Sequence, residues 1–135
     1  TMNRTHLEGA AEKLTAQRGY TFYTGPEDDM GHTVRNYPAA WLAPPELHAV
    51  EGRTHGRATY DMTLHLLRPG ARISPAERRT ALAEMEAQMI EIFAELSLDE
   101  RILAVEGLSV RPRSFSLTPH GEISQTATAR IVTWF

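Results

Sequence analysis

Ala58-Thr-Tyr-Asp-Met-Thr-Leu-His-Leu66 alternates without a break: Ala58, Tyr60, Met62, Leu64 and Leu66 fall on one side, and Thr59, Asp61, Thr63 and His65 on the other. Successive side chains of an extended chain point to opposite faces, so this period of two predicts a half-buried strand over residues 55–67. Pro69-Gly70 turns the chain, and Ser74-Pro-Ala-Glu77 opens the next element. A serine N-cap, a proline at the first helical position and a glutamate three residues after the cap together make a capping box. Beyond it Leu82, Met85, Met89, Ile92, Phe93 and Leu96 recur at steps of three and four, while Glu84, Glu86, Gln88, Glu91 and Glu95 take the other faces. A long amphipathic helix is therefore expected to cover the strand's apolar side. At ~1.5–3 kcal/mol per large side chain, its stripe is worth on the order of 10 kcal/mol before conformational entropy is subtracted.

Outward from this strand and helix the remaining elements fall into place. Leu7, Ala10, Ala11 and Leu14 have helical spacing, with Thr5 as a candidate N-cap and Gly19 just past the run, which predicts a helix over residues 6–18. Tyr20-Thr-Phe-Tyr-Thr24 has the aromatic and β-branched composition of a short strand, and Gly25-Pro26 ends it. Residues 25–36 read as a polar loop, acidic in its first half. Ala39-Ala-Trp-Leu42 is a further strand, and the prolines on both sides of it suggest an edge position. Residues 102–110 and 123–135 read as strands joined through Pro112, Pro119 and the turn-like His120-Gly121, which predicts a hairpin. The expectation is a single α+β domain over residues 1–135. Its antiparallel or mixed sheet has about four to six strands, with the N-terminal helix and the long helix on one face. Thr1 ahead of Met2 reads as a residue added before the native start.

Bulk properties exclude several classes of function. At 135 residues the chain can bury a substantial core without a staple. It has no cysteine, which removes disulfides, thiolate metal sites and cysteine nucleophiles. A net charge of −3 gives no basic excess to displace counterions from a phosphate backbone, so specific nucleic-acid binding is not expected. Apolar runs are too short for a membrane helix, and none forms the core of a signal peptide.

The chemistry-bearing residues do not form a recognisable constellation. Glu27-Asp28-Asp29 lies close to His32, but without the alternating ligands and closing glutamate of a calcium loop. The six histidines, at positions 6, 32, 48, 55, 65 and 120, make neither an i, i+4 helical pair nor a His-x-His strand pair. Asp61 and His65 share a strand face, yet four extended residues separate them too widely for direct proton transfer. No nucleophile elbow, phosphate loop or dinucleotide fingerprint occurs. No catalytic residue, metal ligand or cofactor site is therefore expected. Met62, Met85 and Met89 read as core.

Two features point instead to association. The acidic Glu27, Asp28 and Asp29 are suited to steering a basic partner surface. Trp41 lies on a short strand between prolines, and Trp134-Phe135 are consecutive aromatics that must face opposite sides of a continuing strand. Aromatic side chains are enriched in buried interfaces, so Trp41, Trp134 and Phe135 join the acidic trio as candidate subunit or partner contacts.

The N-terminal helix, the long helix opening with Ser74-Pro-Ala-Glu77, and the closing run Val105-Glu-Gly-Leu-Ser-Val110, Leu117-Thr-Pro-His-Gly-Glu122 and Ala129-Arg-Ile-Val-Thr-Trp-Phe135 have a familiar layout. Over most of residues 5–135 it resembles the small tail terminator, or tail completion, proteins of long-tailed phages and prophages. The resemblance implies a protomer that assembles with itself into a ring, usually of six subunits, on the end of a tail tube. There it stops tube growth and offers a surface to head and neck proteins. It also implies residence in the bacterial cytoplasm before incorporation into a virion or tail-like particle. The acidic loop would then face a neighbouring subunit or the lumen. The competing expectation is a small-molecule-binding or enzymatic ferredoxin-like dimer, with a pocket in which Tyr60, Asp61, His65 and Arg130 converge.

Overall fold

A computed structural model describes residues 2–113 and 117–135. The alternating segment forms the central strand, and the long helix packs on the same face of the sheet, closest to β6 and β5, sharing one core with the strand's apolar side. In chain order the elements are α1 (Asn3–Ala16), β1 (Thr21–Thr24), a 3-10 turn (Glu27–Asp29), α2 (Met30–Thr33), β2 (Ala39–Leu42), β3 (Glu46–Gly52), β4 (Gly56–Arg68), α3 (Pro75–Leu96), β5 (Ile102–Pro112) and β6 (Ile123–Trp134). The fold is α+β, built on one mixed sheet of six strands in the order β1-β2-β4-β6-β5, with β3 also paired to β4. All pairings are antiparallel except β1 with β2.

The position of β4 explains this order. One of its edges pairs along its whole length with β6, from Arg57 opposite Trp134 to Arg68 opposite Ile123. Its other edge is shared: β2 takes Leu64–Leu67 and β3 takes Gly56–Asp61. Because β1 pairs only with the far side of β2, the sheet edge is stepped, standing one strand further out at β1 than at β3.

Both long helices lie on one face, as the sequence predicts. Met85, Met89, Ile92, Phe93 and Leu96 of α3 are buried against Tyr60, Met62, Leu64 and Leu66 of β4 and against Ala127 and Ile131 of β6. Leu82 is only half-buried. The capping box is present: the Glu77 N–H donates to Ser74 Oγ and the Ser74 N–H to the Glu77 carboxylate. Gly19 follows α1 with φ +85°. At the other end of α1 the chain departs from expectation. The helix begins at Asn3, with Met2 rather than Thr5 in the cap position. Tertiary contacts account for the extra turn: Asn3 Nδ2 donates to Thr133 Oγ1 (3.0 Å) and to the Trp134 carbonyl (2.7 Å), and the Arg4 guanidinium donates to the Pro45 carbonyl.

Two further corrections concern residues 25–45. β2 is not an edge strand, since it lies between β1 and β4 and all four of its residues are buried. The flanking prolines sit outside the ladder and remove none of its donors. Residues 25–36, read as loop, contain the 3-10 turn and α2, which place Met30 and Val34 on the second face of the sheet. Directly after β2 comes β3, where the sequence pattern predicts no strand.

Candidate functional site

The second face of the sheet has a covered end and an open end. At the covered end Met30, Val34, Ala39, Trp41 and Leu67 form a small apolar core of their own, with Tyr23, Tyr37 and Leu117 against it. Tyr23 stacks on Trp41 at 6.3 Å. The Trp41 indole N–H donates to the Gly25 carbonyl (3.0 Å), and Gly25 holds a φ of +145° that side-chain-bearing residues rarely adopt. Trp41 is thus fully buried within its own chain. It is not an association surface, and the expectation that it would be is corrected.

His65 is sealed under the same cover. Its Nδ1 lies 2.7 Å from Thr126 Oγ1 and its Nε2 lies 3.0 Å from Glu27 Oε2, while Arg113 Nε donates to the same Thr126 hydroxyl (3.1 Å). Burial pushes the imidazole pKa below its ordinary 6.5, and the Glu27 carboxylate pulls against that shift. Glu27 therefore has an internal task. Asp28 and Asp29, next to it, are exposed to solvent. The loop leading to β6 is held by Glu122, whose buried carboxylate accepts from the N–H groups of Leu117 and Thr118 and from the Thr118 hydroxyl.

The open end lies around the first residues of β4, and its largest feature is on the helix side of the sheet. Tyr60 and Ala58 of β4 belong to the main core, and β3 carries Leu47 opposite Tyr60 and Val50 opposite Ala58. Neither α1 nor α3 covers this pair, so Leu47 and Val50 remain 52% and 54% exposed. Met2 (75%), Trp134 (48%) and Phe135 (43%) surround them. All five residues line an open groove of about 920 Å³, Trp134 only from the strand end, since its pairing with Arg57 turns its ring to the second face of the sheet, away from Leu47, Val50 and Phe135. Arg4 crosses the groove with its guanidinium 5.6 Å from the centre of the Tyr60 ring. Isolated apolar residues on a surface are ordinary, but a contiguous group of large ones marks a binding surface.

The six candidate residues thus fall into separate places. Phe135 belongs to the apolar groove, Trp134 to the uncovered second face at the same end of the sheet, Trp41 to the interior, and Glu27, Asp28 and Asp29 to the cover at the other end. Trp41 pairs with His65 and Trp134 with Arg57. These positions on β4 are on the order of 27 Å apart at ~3.4 Å per residue. Leu47, Val50 and Met2 were missed by sequence reasoning. Leu47 and Val50 are three residues apart, a spacing that would put them on opposite faces of a regular strand. An irregularity at His48 returns them to the same face and hides the alternation.

The residues of the expected small-molecule pocket do not converge. Tyr60 faces the helices, His65 is sealed, and Asp61 lies on the open second face with Arg130 (3.3 Å) and His48 (3.4 Å). Among the described residues no three His, Asp or Glu side chains are grouped to hold a metal ion, and no helix is long and apolar enough to cross a membrane. Neither a protein-family model nor a curated protein sequence matches this chain.

Proposed function

We propose that this chain is a structural assembly protein whose work is done by its surfaces, and that it forms a ring capping a phage or prophage tail tube and joining it to head and neck proteins. The observation that carries the association part is the uncovered apolar groove beside an unpaired strand: Met2, Leu47, Val50 and Phe135 stand exposed around β3, which among the described residues has a partner on one side only. Unpaired edges and exposed apolar clusters are features that a chain acting alone normally blunts. The tail-tube part rests on the resemblance in element order to tail terminator proteins.

Electron microscopy of the purified protein, alone and mixed with tail tubes from the same source, tests the proposal. Rings, or a cap at one tube end, are the expected result. The absence of both moves the reading to a small-molecule-binding α+β dimer, for which the groove between Leu47 and Phe135 is the place to screen for ligands.

A further inference from the structure

We infer that the outer edge of β3 receives the outer edge of β5 from a second copy of this chain, so that neighbouring sheets continue into one another in a head-to-tail arrangement. The inference deepens the assembly reading and rests on it. Among the described residues, nothing pairs with the outer side of either strand. An exposed strand edge presents a row of backbone donors and acceptors, and another strand is the occupant that satisfies them in register.

Strand direction makes the two edges compatible. β3 runs opposite to β4, β4 opposite to β6 and β6 opposite to β5. Within β3-β4-β6-β5 the two outermost strands therefore run in opposite directions. A neighbour related by rotation about a ring axis brings its β5 beside β3 in antiparallel sense, the hydrogen-bonding mode of every other pairing in this part of the sheet.

The step at β1 then sets the register. Within one subunit, Glu46 is level with Asp61, Arg130 and Glu106. A neighbouring β5 at that same level would put two glutamates side by side and would run its second half into the space that β1 occupies outside β2. Sliding it five residues along clears β1 and places Arg111 of the second copy beside Glu46. In that register Val110 of the second copy meets Leu47, and the half-exposed Leu108 lies next to Val50. Val110 shares the helix side of the sheet, as its pairing with the buried Ala127 requires, so the apolar contacts fall on the same face as the groove. The two-fold alternative, β3 against β3 with Leu47 opposite Val50, brings Glu46 against Glu51 twice and is disfavoured by charge. A head-to-tail contact that closes on itself yields a ring.

The absence of cysteine permits a direct test on the full chain. Leu47→Cys and Val110→Cys proteins are prepared separately, mixed, and mildly oxidised, because directly opposed positions on antiparallel strands lie within disulfide reach. A covalent dimer in the mixture, absent from each protein alone, is the expected result. A dimer from Leu47→Cys alone, or no cross-link in the mixture at the highest soluble concentration, overturns the inference. Two exposed substitutions provide a check that does not depend on disulfide geometry. Glu46→Arg should loosen self-association in sedimentation on the order of tenfold, and adding Arg111→Glu should restore it. No loosening, or loosening without rescue, also counts against this register. Rings on tubes without the cross-link would leave the assembly reading standing and remove this contact. The cross-link without rings or caps would do the reverse.

Discussion

Trp41 and Trp134 sit on the same sheet, on strands that both pair with β4, and their surroundings have little in common. Trp41 has a glycine carbonyl for its indole N–H, a tyrosine stacked on its ring, and Met30 and Val34 over it. Trp134 stands half in solvent at the strand end, beside Phe135 and a groove that no helix fills. The sheet treats the two positions alike, and the difference comes from what the chain lays over each end. Residues 25–37 and 117–122 cover the first, and none of the described residues covers the second. A contact surface here is the part of the sheet for which the protomer carries no lid.

Substitution of the tryptophans should give the largest separation between the two ends. Trp41→Ala is expected to cost about 3–5 kcal/mol in denaturant unfolding, because it opens a cavity in a small and closely packed cluster. Trp134→Ala is expected to cost less than about 1 kcal/mol while weakening self-association. Equal losses of stability would erase the contrast.

A smaller effect sharpens the covered end. Glu27→Ala leaves the buried His65 without its Nε2 partner and should cost about 1–3 kcal/mol, lowering the histidine's pKa further as measured by NMR titration. The same pair makes stability depend on pH. Since the folded imidazole is held below 6.5, the unfolded chain takes up the proton first as pH falls, so this contribution is full above about pH 6.5 and is lost progressively below it. Unfolding midpoints measured between about pH 8 and 5 should show that decline, and a His65→Gln protein should show a shallower one. The smallest effect belongs to the exposed acids: Asp28→Ala with Asp29→Ala should change stability by no more than about 0.5 kcal/mol. If these acids steer a partner, assembly weakens all the same; unchanged assembly leaves them as solvated charge.

Much of the architecture was legible because its signals are local. The alternation through β4 and the stripe of α3 each record burial against a single large partner, and the Ser74-Glu77 cap is written within four residues. β3 escaped because its strand character depends on pairing with β4 and because the irregularity at His48 breaks the period of two. Trp41 was misassigned for a related reason. Whether a tryptophan in the second face is exposed depends on how a preceding polar segment and the distant residues 117–122 fold over it. In residues 25–36 only Met30 and Val34 interrupt a polar run that reads as solvated loop. Prolines beside β2 suggested an edge, but only a proline inside a ladder removes a donor. The aromatic pair at positions 134 and 135 was legible as unusual because two consecutive large residues cannot both share one buried face.

The place of β6 bears on how the chain is made. It is the last strand in sequence and one of the most interior in space, lying between β4 and β5. As the chain leaves the ribosome, both strands have been synthesised before the one that joins them, and each waits with an open flank. Rapid partial folding can draw on α3 and on the β3-β4 hairpin. The sheet closes only when the residues of β6 arrive, so chains that stall before them should be the species that aggregates and the one that chaperones hold.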